Sequence, residues 1–360
     1  MSSKSVRVER DGELALIVVN NPPVNTITAD VRTGLSEAIA AISGGPAVRA
    51  VLLICEGSTF FSGADIGEFS GPPREVEYRL LFNSLERMDV PVVAAMHGTV
   101  MGGGLEIALA CHYRVASPAT RFALPEVTLG IIPGAGGTQR LPRLIGAEKA
   151  LEFILSAKPV GVSQAVEMGF LDAAVDGDLR AAAISYTREL LAAGKGPRRT
   201  GEKSVDPTTA TDEVFARMTE LARKQYPNRN AGRVAVDAVR KAAQSTFADG
   251  LEYETARVNE CKVTDESRGA VHVFFAERDS RRVPGLPEEA RAITVRCAGV
   301  IGAGTMGGGI AICFANAGIP VTLIDASAEG LARGIAGIDR IYQSMVDRGR
   351  LTADDKAKRL

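Results

Sequence analysis

The densest concentration of chemistry in the chain lies between residues 102 and 137. Gly102, Gly103 and Gly104 stand in a row, Glu106 follows, Glu126 comes directly after a proline, and Gly134, Gly136 and Gly137 close the stretch. The first glycines lie between an apolar run, Val90 to Met96, and a short helical pattern, Leu105 to Ala110. Glycine there lets the backbone adopt positive φ and approach another group closely. A strand that turns into a helix start also leaves N–H groups without intrahelical acceptors, at the positive end of the helix dipole. Such a turn suits an oxyanion. Neither glutamate is diagnostic alone, because acidic first turns and Pro-Glu openings are common in ordinary helices. Two carboxyls in one pocket, however, can divide acid and base duties once their environments separate their pKa values.

The elements that must position these groups read as follows. Val6 to Arg10 and Leu14 to Asn20 flank Asp11-Gly12 and predict a β-hairpin. Val31, Leu35, Ile39 and Ile42 fall at helical spacing after Thr28, and Gly44-Gly45-Pro46 ends the pattern. Ala50 to Cys55 and Val90 to Met96 predict buried strands, with a helix between them around Glu75 to Met88. Alternating strands and helices favour a layered α/β body with functional loops at the strand ends. Residues 147–176 contain helical segments broken at Pro159-Val160-Gly161 and at Gly169. Residues 194–212 lose periodicity and predict an exposed loop whose basic residues are either a solvated run or a contact for an anion. Helices are expected at Asp212 to Lys224, Val234 to Ala248, Gly250 to Glu260 and Ser267 to Arg278, with packing or oligomer contact as their role. Arg281 to Pro287 reads as a linker. Beyond it, Val300-Ile301 runs into Gly302, Gly304 and Gly307 in GxGxxG spacing, then a helical pattern, a strand and Asp325. That order predicts a dinucleotide site, with glycines at the pyrophosphate and the acid on the ribose of NAD.

SGADI (62–66), MGGGLEIALAC (101–111) and LPEVTLGIIPGAGGTQRLPRLIG (124–146) closely resemble the enoyl-CoA hydratase, or crotonase, family over most of residues 1–280. The later residues resemble the start of a 3-hydroxyacyl-CoA dehydrogenase, so the whole is similar to the front part of a multifunctional fatty-acid β-oxidation enzyme. The resemblance implies an α/β fold, a crotonase-like ββα spiral with C-terminal helices, followed by a partial Rossmann-type unit. It implies a catalytic core over 1–195, a helical part over 196–280, a linker over 281–296 and an incomplete NAD-binding domain over 297–360. It further implies that the Ala64 and Gly103 N–H groups form an oxyanion hole, while Glu106 and Glu126 act as base and acid. Gly63, Ala64, Asp65, Ile66, Gly103 and Gly134 would bind an acyl-CoA substrate, coenzyme A being part of that substrate. The implied reaction is hydration of a trans-2-enoyl-CoA, with isomerisation of a 3-enoyl-CoA as a close variant. A homo-oligomer or a complex with a thiolase is the implied assembly.

Composition narrows the classes. With 42 basic and 43 acidic residues the net charge is −1, which gives no electrostatic case for nucleic acid or an anionic membrane. No apolar stretch approaches the length of a membrane span, and the first ten residues lack a signal-peptide core, so the cytosol is expected, with the peroxisome as alternative. Cys55, Cys111, Cys261, Cys297 and Cys313 show no paired spacing and are expected to be buried free thiols. His97, His112 and His272 have no metal-ligand spacing; no metal site is expected.

The rival from another class is a non-catalytic acyl-CoA or NAD-binding and assembly module, which would need neither Glu106 nor Glu126. The expected truncation before a second mononucleotide unit, with no histidine after His272 to serve as a base, sets a test. Residues 1–360 should form no NADH from a 3-hydroxyacyl-CoA, and a chain extended by several hundred residues should. Robust NADH formation by the 360-residue chain, followed by absorbance, would contradict this.

Overall fold

The computed structural model describes residues 5–70, 77–280, 285–287, 290, 291 and 293–360. The chain divides into two compact units, Met1–Arg282 and Val283–Leu360.

The first unit begins with the antiparallel hairpin of β1 (Val6–Asp11) and β2 (Leu14–Val19). Helix α1 (Ala29–Gly44) follows, its Thr28 side chain capping the Val31 N–H, and then β3 (Ala50–Cys55). After α2 (Tyr78–Glu86) the chain makes two strand-strand-helix turns: β4 (Val92–Met96), β5 (Thr99–Met101) and α3 (Gly103–Ala110), then β6 (Tyr113–Ala116), β7 (Arg121–Ala123) and α4 (Gly137–Ile145). Next come α5 (Ala147–Ser156), β8 (Val160–Gly161), α6 (Val162–Met168), β9 (Ala173–Ala174) and α7 (Leu179–Ala192). Four helices complete the unit: α8 (Asp212–Gln225), α9 (Ala231–Gln244), α10 (Phe247–Lys262) and α11 (Asp265–Asp279).

One sheet has the order β1-β2-β3-β4-β6-β9 and is parallel beyond the opening hairpin; a smaller one has the order β5-β7-β8. Each strand-strand-helix turn therefore contributes one strand to each sheet. The inner strands β2, β3 and β4 of the large sheet are buried on both faces, which is why they read as unbroken apolar runs, whereas the edge strand β1 is largely exposed. In β2, Ala15, Ile17 and Val19 join the core with Val31, Leu35 and Ile39 of α1, whereas Leu14, Leu16 and Val18 join Ala183 and Leu191 of α7.

The second unit pairs β10 (Ala298–Ile301) with β11 (Val321–Ile324) in parallel, with α12 (Thr305–Asn316) between them and α13 (Ala328–Asp347) and α14 (Ala353–Arg359) after them.

Four expectations require correction or qualification. The predicted helix Val234 to Ala248 is broken at Ser245-Thr246, because the Thr246 side chain accepts from the Asp249 N–H and so starts α10 as a separate helix. Most of 194–208 is exposed as expected, Lys195 and Lys203 included, but Arg198 pairs with Asp172 and Arg199 donates to the backbone of Glu86, and Thr200 and Val205 are buried. Cys297 and Cys313 are exposed, unlike Cys55, Cys111 and Cys261. The start of the helix expected at Glu75, and Arg281 to Pro284 of the linker, lie outside the described residues.

Gly104 in the first turn of α3 fixes how closely that helix approaches the segment before α2. A Cβ there would lie 2.0 Å from the Phe61 carbonyl oxygen, a backbone atom that cannot swing aside. Gly104→Ala should cost about 3 kcal/mol of stability through overpacking. Gly269→Ala, at an open position within α11, should instead stabilise by up to about 1 kcal/mol. Equal denaturation midpoints for the two variants would refute this packing argument.

Candidate active site

The turn from β5 into α3 is built around absent side chains. Gly102 has φ 54° and ψ −128°, and a Cβ on it would lie 2.9 Å from Oε1 of Glu126. A Cβ on Gly103 would stand 3.3 Å from the Ala64 nitrogen. Positive φ is confined to Gly102 in this triplet; Gly103 and Gly104 are already helical and are small because of what they touch. As the first residue of α3, Gly103 has no intrahelical acceptor for its N–H. Among the described residues neither that N–H nor the Ala64 N–H finds a protein acceptor.

The Ala64 loop is braced from the side. The Tyr78 hydroxyl donates to the Ile27 carbonyl at 2.6 Å and accepts from the Asp65 N–H at 3.3 Å. Arg32 stacks 4.3 Å over the Tyr78 ring and pairs with Glu68 at 2.9 Å. Burial pushes the Tyr78 phenol up to about 12, so it remains a donor at neutral pH.

Glu106 lies one turn into α3 and is 3 % exposed. It does not cap its own helix. Its Oε1 accepts from the Ala135 and Gly137 N–H groups, both at 2.8 Å. Arg140 steadies the same loop by donating to the Ala135 carbonyl at 3.1 Å, while its other donors hold the buried Glu86 at 2.8 Å. Glu126 opens a single 3-10 turn, Glu126–Leu129, and its buried Oε2 has no hydrogen-bond partner among the described residues. Ala64, Gly103, Glu106, Glu126, Gly134 and Lys262 all line one cavity of about 70 Å³.

The environments of the two carboxyls differ. Burial raises the pKa of Glu106, but the Ala135 and Gly137 N–H groups and the Arg140 charge pull it back. Burial raises Glu126 well above the carboxylate range, and the charge of Glu106 raises it further. Burial therefore favours the neutral form more strongly at Glu126 than at Glu106. Lys262, at the end of α10, has its pKa lowered by burial, an effect opposed by the charge of Glu106.

Of the expected site residues, Ala64, Gly103, Glu106, Glu126 and Gly134 come together at the cavity. Gly63, Asp65 and Ile66 are not among the described residues that line it. Gly63 accepts the Ile27 N–H through its carbonyl, Asp65 accepts the Gly67 N–H, and Ile66 begins a 3-10 turn. Tyr78, Lys262 and the buried Glu254 next to the loop were not legible as site residues.

In the second unit Gly302, at φ 97°, leads from β10 toward α12, and a Cβ on Gly307 would lie 1.7 Å from the Gly302 oxygen. Asp325 directly follows β11; its Oδ2 accepts from the Ala303 N–H at 2.8 Å, which lowers its pKa. A tight glycine turn at a helix start with an acid at the next strand end fits a dinucleotide. Gly302, Gly304 and Gly307 would lie at the pyrophosphate and Asp325 at the ribose.

Comparison with known proteins agrees with both units. Residues 9–230 match the family described as enoyl-CoA hydratase/isomerase, and residues 297–360 match the NAD binding domain of 3-hydroxyacyl-CoA dehydrogenase. The peroxisomal fatty acid beta-oxidation multifunctional protein AIM1 of Arabidopsis thaliana is 34% identical over 99% of this chain and 51% of its own length. The fatty acid oxidation complex subunit alpha of Shewanella putrefaciens is 34% identical over 95% of this chain and 51% of its own length. The chain thus spans about half the length of these curated relatives. A carnitinyl-CoA dehydratase from Mycobacterium thermoresistibile shares the fold with a TM-score of 0.62 at 25% identity, covering 79% of this chain and 94% of that one. With the two-sheet layering, the glycine turn and the paired glutamates in place, the chain belongs to the enoyl-CoA hydratase/isomerase family and carries the NAD-binding start of a 3-hydroxyacyl-CoA dehydrogenase after it.

Proposed function

We propose that the first unit adds water across the double bond of a trans-2-enoyl-CoA to give a 3-hydroxyacyl-CoA. One observation carries this reading: a buried Glu126 oxygen without a partner shares a cavity with a Glu106 anchored by two N–H groups. A binding module needs neither carboxyl, and burying both without a chemical use is costly.

In the mechanism, Glu106 takes a proton from water as the water oxygen bonds to C3. The C2–C3 π electrons move toward C2 and the thioester, and charge grows on the thioester oxygen between the Ala64 and Gly103 N–H groups. Losing one such donor typically costs about 10²- to 10³-fold in rate. Glu126 then delivers its proton to C2, and the proton held by Glu106 returns to Glu126 before the next turnover. Isomerisation of a 3-enoyl-CoA would use the same oxyanion hole with Glu126 as shuttle, which its unpartnered oxygen favours.

We assign the loop Gly63, Ala64, Asp65 and Ile66, with Gly103 and Gly134, to acyl-CoA binding, the adenine end lying toward the loop. Residues 1–195 form the catalytic core in this reading, 196–280 its helical completion, 281–296 the linker and 297–360 the start of the NAD domain. NAD, when bound, accepts hydride; Gly302, Gly304, Gly307 and Asp325 supply binding alone. Assembly with other chains, as a homo-oligomer or with a thiolase, is part of this proposal; the Shewanella relative is described as a complex subunit. No helix among the described residues is long and apolar enough to cross a membrane. The Arabidopsis relative's name favours the peroxisome over the cytosol as compartment.

Loss of the conjugated enoyl-thioester absorbance measures the reaction directly. Glu106→Gln and Glu126→Gln should each lower kcat by about 10²-fold or more with the fold retained. Near wild-type turnover in both would end the acid–base assignment.

The raised pKa values set the pH profile. Glu106 must be ionised, so kcat/KM should rise with pH through its raised pKa, above the ordinary carboxylate range. Glu126 must be protonated, so kcat/KM should fall as pH climbs through its still higher pKa. Both limbs belong to the coupled pair. A profile that is flat into the alkaline range would exclude Glu126 as the acid.

A further inference from the structure

A third carboxyl is buried beside the cavity: Glu254, in the middle of α10 and fully shielded from solvent. The loop from Gly134 to Thr138 runs between it and Glu106. Successive N–H groups along this loop alternate in direction. Those of Ala135 and Gly137 donate to Glu106 Oε1, both at 2.8 Å. Those of Gly136 and Thr138 donate to Glu254, at 2.6 Å to Oε1 and 2.9 Å to Oε2. The Thr138 hydroxyl adds a short bond to the same Oε2. One turn further along α10, Val258 lies where a Cβ on Gly134 would come within 2.9 Å of it, so the helix is seated closely against the loop.

We propose that Glu254 is a positioning residue for the reaction, holding the Gly136 and Thr138 N–H groups so that those of Ala135 and Gly137 stay aimed at Glu106. The proposal rests on the hydratase reading above. Without Glu254, two buried donors lose their acceptor, and the peptide units that carry them turn to find another. The alternating units belong to one backbone, so such a turn draws the intervening N–H groups off Glu106. Glu254 has no lining role in the cavity and touches no substrate; it acts through the loop. Burial pushes its carboxyl up to about 8, and the Thr138 and Gly136 donors oppose that rise.

Glu254→Gln tests this, since it keeps the side-chain length but turns one acceptor into a donor facing the loop. With a short trans-2-enoyl-CoA, kcat should fall between about 10- and 100-fold, as for a small misplacement of a catalytic group. KM should change by less than about twofold, because the loss acts on the transition state. In a Glu106→Gln background, Glu254→Gln should cause no further loss, since the two act as one unit. A kcat per folded molecule within about twofold of wild type, or losses that multiply in the double variant, would overturn the proposal. Should Glu254→Gln prevent folding, Thr138→Val takes its place with a fall of about threefold expected, and an unchanged kcat in that variant overturns the proposal equally. A wild type that does not hydrate enoyl-CoA, or full turnover in Glu106→Gln, would instead remove the hydratase reading and this proposal with it.

Discussion

The five residues from Gly134 to Thr138 hang between two buried carboxyls, and the geometry of the cavity depends on that suspension. Buried N–H groups require acceptors, and this loop supplies four of them in alternating directions. Glu106 satisfies two, and those bonds oppose the rise in its pKa that burial causes. Glu126, whose buried Oε2 has no hydrogen-bond partner among the described residues, is raised further, by burial and by the charge of Glu106. Two glutamates in one pocket thus have their pKa values raised to different extents by burial and backbone geometry rather than by any difference in side chain.

The two sheets make that arrangement reachable. Each strand-strand-helix turn moves the chain from the large sheet to the small one before a helix begins, and α3 and the Glu126 turn start at the ends of β5 and β7. The glycines at these starts leave room for the groups opposite them: Glu126 against Gly102, and the Ala64 N–H against Gly103. Tyr78 and Arg32 then hold the Ala64 loop from the far side. The Ala64 and Gly103 N–H groups and the two carboxyls therefore come from three segments of chain, the Ala64 loop, the first turn of α3 and the Glu126 turn, and line one cavity.

In the second unit the same device of a glycine turn at a helix start serves a different chemistry. Asp325 is tied to the Ala303 N–H at the turn, which pre-sets the spacing between the acid and the glycine loop. Here the acid is on the surface and its pKa is lowered by backbone donors, the opposite of the buried glutamates. Environment thus sets the direction in which each carboxyl's pKa moves.

The features legible in the sequence were those with short-range physical causes. Glycine clusters mark turns because their conformational freedom is local, and apolar alternation or continuity marks strands because burial imposes it along a few residues. Gly102 to Glu106, Pro125-Glu126 and Gly302 to Gly307 were therefore readable, and the family resemblance supplied Ala64. Glu254 was not: it is 118 residues from Gly136 in a helix with an unremarkable pattern, and nothing near it in the chain announces its acceptors. Arg198 and Arg199 looked like a solvated charge run because their partners, Asp172 and the Glu86 backbone, lie far away in the chain. The sequence by itself determined the elements, the turns and the presence of paired carboxyls. Only the tertiary structure decided how far each carboxyl's pKa is displaced relative to the other, since that depends on desolvation and on N–H groups brought in from distant loops, and neither is encoded in local residue order.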